Sequence, residues 1–475
     1  MKKFTFLTIF WNVLIMGVSP ILFYSCSDED SFTADRNSVL EFSQDTIAFD
    51  TVFTGITTPT ERFYVYNKND KGVRIASVKL EKGGTSGFLI NVDGQNGTNI
   101  NDVQVLKKDS IFVFVKLNAP VQALNTPQEI SDAIIFTLEN GVQQKVVIEA
   151  CGMNVNILQG EILEGHHEFM SDDVPRVIYD SLVVSENASL RICPGTTLYF
   201  HNGASLIVRG SLRIDGTLEQ PVTLRGDRLD KMFEYLPYDR LENQWGGIYL
   251  HPSCQGCSIN YADIHSGNYG IICDSIAGKL SVENSVIHNI AGFGLYLQDS
   301  HAIVANTQIS NAKYDCVSIY GGTSDFYHCT IAQFYPWDAD RGNALYMSNY
   351  IGEETHHIQS ANFYNCFVTG YADDEVFGNP GELPLNIHFY NSVLMTDVSD
   401  ETYFYECVED SEDLPAYKDS NFRTFDTRAY FYDFRLDSLS TARSKGAAAY
   451  SSLYPVDRLG VQRGNFPDAG CYQFE

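Results

Sequence analysis

The sequence predicts an all-β protein in which a parallel β-helix follows an N-terminal β-sandwich. Three observations carry that expectation. Among 475 residues, 36 glycines, 13% aromatics and only 19% charged side chains suit strands and turns rather than a helical bundle, a coiled coil or disorder. Residues 39–152 contain short β-branched or aromatic runs separated by Gly, Asn and Asp clusters. Residues 157–398 repeat a tetrad ending in an aliphatic side chain with a period near 22. The apolar content of 44% is ample for a large core.

Residues 1–25 read as a targeting segment, with Lys2 and Lys3 as the basic region, Phe4 to Val18 as the apolar region, and Ser25 just before Cys26. Ser25-Cys26 after an apolar run resembles the lipobox of bacterial lipoproteins, although Phe23 and Tyr24 replace its usual Leu-small pair. The resemblance implies that the Cys26 thiol carries a lipid. The acidic run Ser27-Asp28-Glu29-Asp30 resembles the surface-export signal of Bacteroidetes lipoproteins. Residues 26–38 are then a lipid-anchored linker, and the chain is expected on the outer membrane, exposed at the cell surface. An uncleaved single-pass anchor is the alternative, since Phe4 to Phe23 is about long enough to span.

Residues 39–152 are expected to form the sandwich. Val39 to Phe42, Arg62 to Tyr66, Ile111 to Val115, Ala133 to Phe136 and Lys145 to Ile148 are strand-like, while Asn67 to Asp70, Gly83-Gly84 and Asp93 to Asn101 supply turns. The layout from Phe49-Asp50-Thr51-Val52 to Ala150-Cys151-Gly152 resembles the immunoglobulin-like domains that precede enzymatic or adhesive modules on bacterial surfaces. No chemical constellation is present here, so a spacer role is expected.

Residues 153–475 are expected to form the β-helix with its C-terminal cap. Asn284-Ser285-Val286-Ile287 aligns with Asn306-Thr307-Gln308-Ile309, His328-Cys329-Thr330-Ile331, Asn365-Cys366-Phe367-Val368 and Asn391-Ser392-Val393-Leu394, and Tyr261-Ala262-Asp263-Ile264 fits one step earlier. The steps between their last residues are 23, 22, 22, 37 and 26. Coils stacked about 4.8 Å apart would place that aliphatic residue at one inward position in every turn. Leu190 to Phe200, Ala204 to Leu212, Gln220 to Leu224 and Trp245 to Ile248 resemble the entry coils of right-handed parallel β-helix proteins of the pectin-lyase-like superfamily. Asp457 to Tyr472 is similar to the C-terminal segment of many of its secreted members. The resemblance is specific for fold and silent on chemistry, because the fold hosts lyases, hydrolases, esterases and binders.

The chain has a formal charge of −28, which excludes nucleic-acid binding through a basic patch. The charge is uneven: residues 27–152 hold 11 bases and 17 acids, and residues 153–475 hold 19 and 43, together with all eleven histidines. The shift near Gly152 suggests a domain boundary. The Arg-Ile-Lys of polygalacturonase-like hydrolases and the arginine–proline pattern of pectate lyases are absent. Only five lysines lie beyond residue 152, which disfavours a polyuronate lyase.

Candidate site residues lie where the repeat is interrupted. The 37-residue step holds about 15 extra residues, from Pro336-Trp337-Asp338-Ala339-Asp340-Arg341 onward, and Asp373-Asp374-Glu375 comes one coil later. Paired carboxylates suit glycoside hydrolysis, Arg341 suits a substrate carboxylate, and Trp337 suits stacking on a sugar. A solvated acidic turn is the alternative, and Ca2+ in these loops is the single cofactor candidate. Asp227 to Asn243 forms a further insertion with room for a short helix; it is expected to pack against the coil edge, and the alternative is a glycan platform of Tyr235, Tyr238, Arg228 and Arg240. Thr402 to Tyr430 is expected to wrap the last coil. Cys329 and Cys366 share a repeat position and are expected inside, with a disulfide as the alternative. Cys254 and Cys257 form one Cys-x-x-Cys without a second pair, so no metal site is expected. The histidines lack ligand spacing and are expected at the surface. The leading reading is a glycan-binding or structural module, with polysaccharide as partner and the membrane touched only through the lipid; a polysaccharide hydrolase or lyase is the alternative.

Overall fold

The computed structural model describes residues 31–172 and 174–475, so Cys26, the targeting segment and the acidic run beginning at Ser27 lie outside the described residues. The described chain forms two compact units: residues up to Gln122 together with Pro127–Gly152, and Ala123–Thr126 together with Met153–Glu475.

In the first unit two five-stranded sheets enclose one core. Ser110–Leu117 shows why: its inward side chains Ile111, Val113, Val115 and Leu117 alternate with more exposed neighbours, the period-two pattern of a strand with one wet face. It pairs antiparallel with Glu61–Tyr66 on one side and Phe88–Val92 on the other. Gln128–Leu138 and Gln143–Met153 pair in the second sheet across a tight turn in which Gly141 takes φ +82°, a conformation open to glycine. Phe63, Phe88 and Phe136 fill the space between the sheets.

The second unit is a parallel β-helix, and the aligned aliphatic residues form one interior row. Ile264, Ile287, Ile309, Ile331, Val368 and Leu394 stand opposite one another on successive strands, and Leu198 and Leu224 extend the row backwards. All eight are fully buried. Each coil has three faces. The first is a ten-stranded parallel sheet running from His166–Phe169 to Phe404–Tyr405; the second and third are joined in an eighteen-stranded sheet that bends within each coil.

The corner between the first and second faces explains the tetrad. Its first residue is left-handed in all six aligned coils: Tyr261, Asn284, Asn306, His328, Asn365 and Asn391 have φ between 47° and 53°. Asparagine tolerates this region better than most side chains. The next residue must be small and buried, and is Ala262, Ser285, Thr307, Cys329, Cys366 or Ser392. The hydroxyls satisfy the coil edge: Ser285 Oγ accepts from Ala262 N at 3.0 Å and donates to the Glu283 carbonyl at 2.7 Å. Cys329 and Cys366 lie fully buried in this row, and the ten described cysteines are free thiols. Cys254 and Cys257 are also buried.

The 37-residue step divides its extra residues between two corners. One part forms the loop between Thr330–Gln333 and Leu345–Ser348, and the other forms the small hairpin Tyr350–Ile351/Glu354–Thr355. The Asp227 to Asn243 insertion contains the pair Lys231–Phe233/Leu236–Pro237 and a 3-10 turn at Tyr238–Arg240. Thr402 to Tyr430 first adds short strands, Phe404–Tyr405 and Val408–Glu409, to the coil stack. It then enters a hairpin of Phe422–Asp426 with Phe431–Leu436. That hairpin and the tail cover the outer side of the second face, packing Phe422, Phe434, Ala469 and Tyr472 against Ala332, Phe367 and Val393.

Candidate functional site

With the second face covered, the third face presents a continuous aromatic stripe. Its inward row is Leu250, Cys273, Leu297, Ile319 and Met347. Alternation along a strand sends the neighbouring side chains outward, and many are aromatic. Ring centroids run Tyr296 to Tyr320 at 5.2 Å, Tyr320 to Tyr346 at 5.7 Å and Tyr346 to Phe377 at 5.1 Å. Two corner residues and one strand residue continue the stripe the other way: Phe293 lies 5.2 Å from Tyr296, Tyr269 6.3 Å from Phe293, and Tyr249, on Gly247–Leu250, 6.0 Å from Tyr269. Tyr314 branches from Phe293 at 5.1 Å. The rings are half-buried, with Tyr314 and Phe377 most exposed at 47% and 46%. The stripe crosses six strands, from Gly247–Leu250 to Val376–Asn379, and is therefore about 24 Å long at the usual strand spacing.

The electrostatics of this face are neutral to acidic. Burial pushes the Tyr249 hydroxyl up to about 12, helped by Tyr269, and burial also raises Tyr296, helped by Asp274 and Asp299. The phenols are therefore neutral hydrogen-bonding groups. The Lys313 ammonium near this face is paired, with Nζ 3.0 Å from Asp338, and His356 Nδ1 lies 2.6 Å from Asp299.

The carboxylates singled out in the sequence gather beside this face, and Asp338, Asp373, Asp374 and Glu375 have partners within the chain. Asp338 is held below the ordinary range by the Asp340 amide and by Lys313. Arg341 lies over the Tyr371 ring at 4.7 Å and contacts the Asp338 carbonyl. Lys418 Nζ bridges the Tyr371 carbonyl and Asp373 at 2.9 and 2.8 Å. Asp374 accepts from Val376 N. Glu375 is fully buried and accepts from Ala344 N and Ala372 N at 2.9 and 2.7 Å; burial raises it to about 7 against the pull of those amides. These groups fasten two corner loops to the coil. Among the described residues, neither Asp338-Asp340 nor Asp373 to Glu375 forms a cluster with metal-ligand spacing.

Four of the residues chosen as a sugar platform converge on the turn of the C-terminal hairpin or its neighbour loop. Trp337 stacks on Tyr430 at 4.0 Å, Arg428 lies over Tyr235, and Arg240 donates to the Ala429 carbonyl and lies over Phe431. Tyr238 is capped by Arg228 at 3.7 Å. Each of the three rings has one face against a partner within the chain, and Trp337 and Tyr235 stay partly exposed.

No family model matches the chain, and no curated protein matches it. Solved structures give short, distant likenesses. A family 123 glycoside hydrolase from Clostridium perfringens is 11% identical with a TM-score of 0.18, over 23% of this chain and 23% of that one. The VesB protease of Vibrio cholerae is 11% identical with a TM-score of 0.17, over 24% and 31%. The periplasmic chaperone SfaE is 11% identical with a TM-score of 0.18, over 24% and 58%. At these scores none of them bears on activity.

Two expectations from the sequence are corrected here. The histidines are not uniformly superficial: His265, His328 and His356 are buried. A cluster with metal-ligand spacing also exists, although none was expected: Asp263, His265 and His288, whose ligand atoms all lie within 4.8 Å of one another. Parallel stacking brings together residues a full repeat apart, which linear spacing rules do not register. The signal was present in the alignment, one position beyond Ile264 and Ile287. Asp263 Oδ1 accepts from His265 Nδ1 at 2.8 Å and His288 Nε2 at 3.2 Å, and His265 Nε2 lies 2.8 Å from Asp239 Oδ1. Burial alone would lower the His265 imidazole, but the two carboxylates outweigh it and hold it up at about 9.

Proposed function

We propose that the protein is a lipid-anchored surface protein whose β-helix binds a polysaccharide along its third face without turning it over. The observation that carries this reading is the unbroken aromatic stripe from Tyr249 to Phe377, parallel to the direction in which the coils stack. Ring faces suit the C–H surfaces of sugars, and tyrosine hydroxyls suit their oxygens. A linear chain of sugars matches a linear row of rings. The pairing of Lys313 with Asp338 beside the stripe favours a neutral glycan over a polyuronate. The partnered state of Asp338, Asp373 and Glu375 supports binding over hydrolysis, because a general acid and a base must be free to reach the scissile bond.

The test is titration of the purified protein with a panel of neutral and acidic polysaccharides, followed by calorimetry and by release of reducing ends. Binding of a neutral polymer, weakened about tenfold in Tyr320→Ala and again in Tyr346→Ala, is expected if each ring contributes on the scale of an interface hot spot. New reducing ends that vanish in Asp338→Asn or Asp374→Asn would replace the binder with an enzyme.

A further inference from the structure

We propose that Asp263, His265 and His288 form a site for one divalent transition ion of the zinc class. The strands Ala262–His265 and Val286–Ile290 are parallel neighbours with His265 directly opposite His288, so the ladder fixes the spacing of the two imidazoles. Their ring centroids are 4.9 Å apart, and both rings direct a nitrogen at the same Asp263 oxygen. Tetrahedral zinc with bonds of about 2.0 Å needs ligand atoms roughly 3.3 Å apart. The observed separations of 2.8 and 3.2 Å to Asp263 lie close to that. Two imidazoles and one carboxylate favour a borderline ion over Ca2+ or Mg2+.

An independent observation concerns the groups behind these ligands. A metal-bound histidine commonly donates its other ring N–H to a carboxylate, which fixes the ring. His265 has that partner: its Nε2 faces Asp239 Oδ1 at 2.8 Å, and Arg225 Nη1 holds the same oxygen at 2.9 Å. Asp239 sits on the 3-10 turn of the Asp227 to Asn243 insertion, which is fastened by Ser266 Oγ on the Asp239 carbonyl and by Asn289 Nδ2 on the Arg240 carbonyl. The insertion would then serve as the support of a metal ligand. On binding, the ion takes the place of the proton between His265 Nδ1 and Asp263, which leaves to solvent, while Nε2–H stays on Asp239. The Nε2 proton of His288 would move by exchange with solvent to Nδ1, freeing Nε2 as the ligand. Asp263 and His288 are partly exposed, so a fourth position is open to water.

The test uses the full chain stripped with a chelator, titrated calorimetrically with Zn2+ at neutral pH, with bound metal measured after dialysis. About one equivalent of retained zinc is expected, with a visible tetrahedral band on Co2+ substitution. His288→Gln should abolish retention; among the described residues its side chain hydrogen-bonds to Asp263 alone, and an unchanged circular-dichroism spectrum checks that the variant folds. Asp239→Asn should weaken binding about tenfold as a positioning change, and His251→Ala should leave it unchanged. Failure to retain zinc, retention that survives His288→Gln, or equal uptake of Ca2+ would overturn the site. His265 would then be an imidazolium clamped between two carboxylates as a structural ion pair. Glycan binding does not enter the readout, so the two proposals fail separately.

Discussion

Glu375 combines complete burial with a carboxyl raised to about 7. Its folded value lies above its ordinary 4.5, so the folded protein holds the proton more tightly than the unfolded chain. Stability from this group is therefore fully present below about pH 4.5 and is lost as pH rises through about 7. The upper bound is roughly 3 kcal/mol, from the shift at about 1.4 kcal/mol per unit. Asp410, raised by burial to about 6 against Thr369 and Asn421, acts in the same direction. Urea unfolding between pH 5 and 8 should show declining stability with rising pH, and Glu375→Gln should flatten that slope. A slope of opposite sign in the wild type would refute the assignment. At this scale the sequence was least informative. Asp373-Asp374-Glu375 reads as one acidic patch, yet Asp373 meets Lys418 in solvent while Glu375 turns inward onto two backbone amides, a distinction set by loop path rather than residue type.

The corner between the first and second faces is the element that organises the β-helix. Asn306 combines a left-handed backbone with hydrogen bonds to Asn284, to the Val456 carbonyl and from Arg463. Asn306→Ala should lose about 3 kcal/mol, summing roughly 1 kcal/mol of backbone strain and the desolvated partners left behind. Asn391 has the same φ of 48° but only a half-exposed bond to Glu406. Asn391→Gly should therefore cost less than about 1 kcal/mol, because glycine enters that region freely. Denaturant midpoints of the two variants check the contrast; equal losses would contradict it. The corner was legible in the sequence because its left-handed geometry favours asparagine, which fills four of the six aligned positions. The aromatic stripe was not. Tyr249, Tyr269, Phe293, Tyr320 and Phe377 have no fixed spacing, since they come from strands and from corner loops of different length.

At the scale of the molecule, the chain separates its tasks. The first unit presents no cluster of titratable groups with metal-ligand spacing among its described residues, and the β-helix carries most of the negative charge. If Cys26 carries the lipid, Cys26→Ser should abolish labelling by a radioactive fatty acid and release the protein from the membrane fraction. If the acidic run beyond it is an address, replacing Asp28, Glu29 and Asp30 by alanine should keep the label but protect the protein from protease added to intact cells. Labelling that persists in Cys26→Ser would exclude the lipoprotein. The fold class was readable because a β-helix writes its interior as a period. What remained hidden, including the pairing of His265 with His288, depends on which side chains face each other across neighbouring coils.

One consequence follows from where the tail binds. The segment from Val456 to Tyr472 reaches back to coils laid down far earlier: Arg463 to Asn306, Cys471 N to Thr330, and Tyr472 to Gln308. Ala447 likewise exchanges two hydrogen bonds with Asn365. A nascent chain that stops before this segment leaves those corners without their partners, however well its coils have stacked. Loss of this segment would therefore weaken coils far from it in the sequence, not the last coil alone.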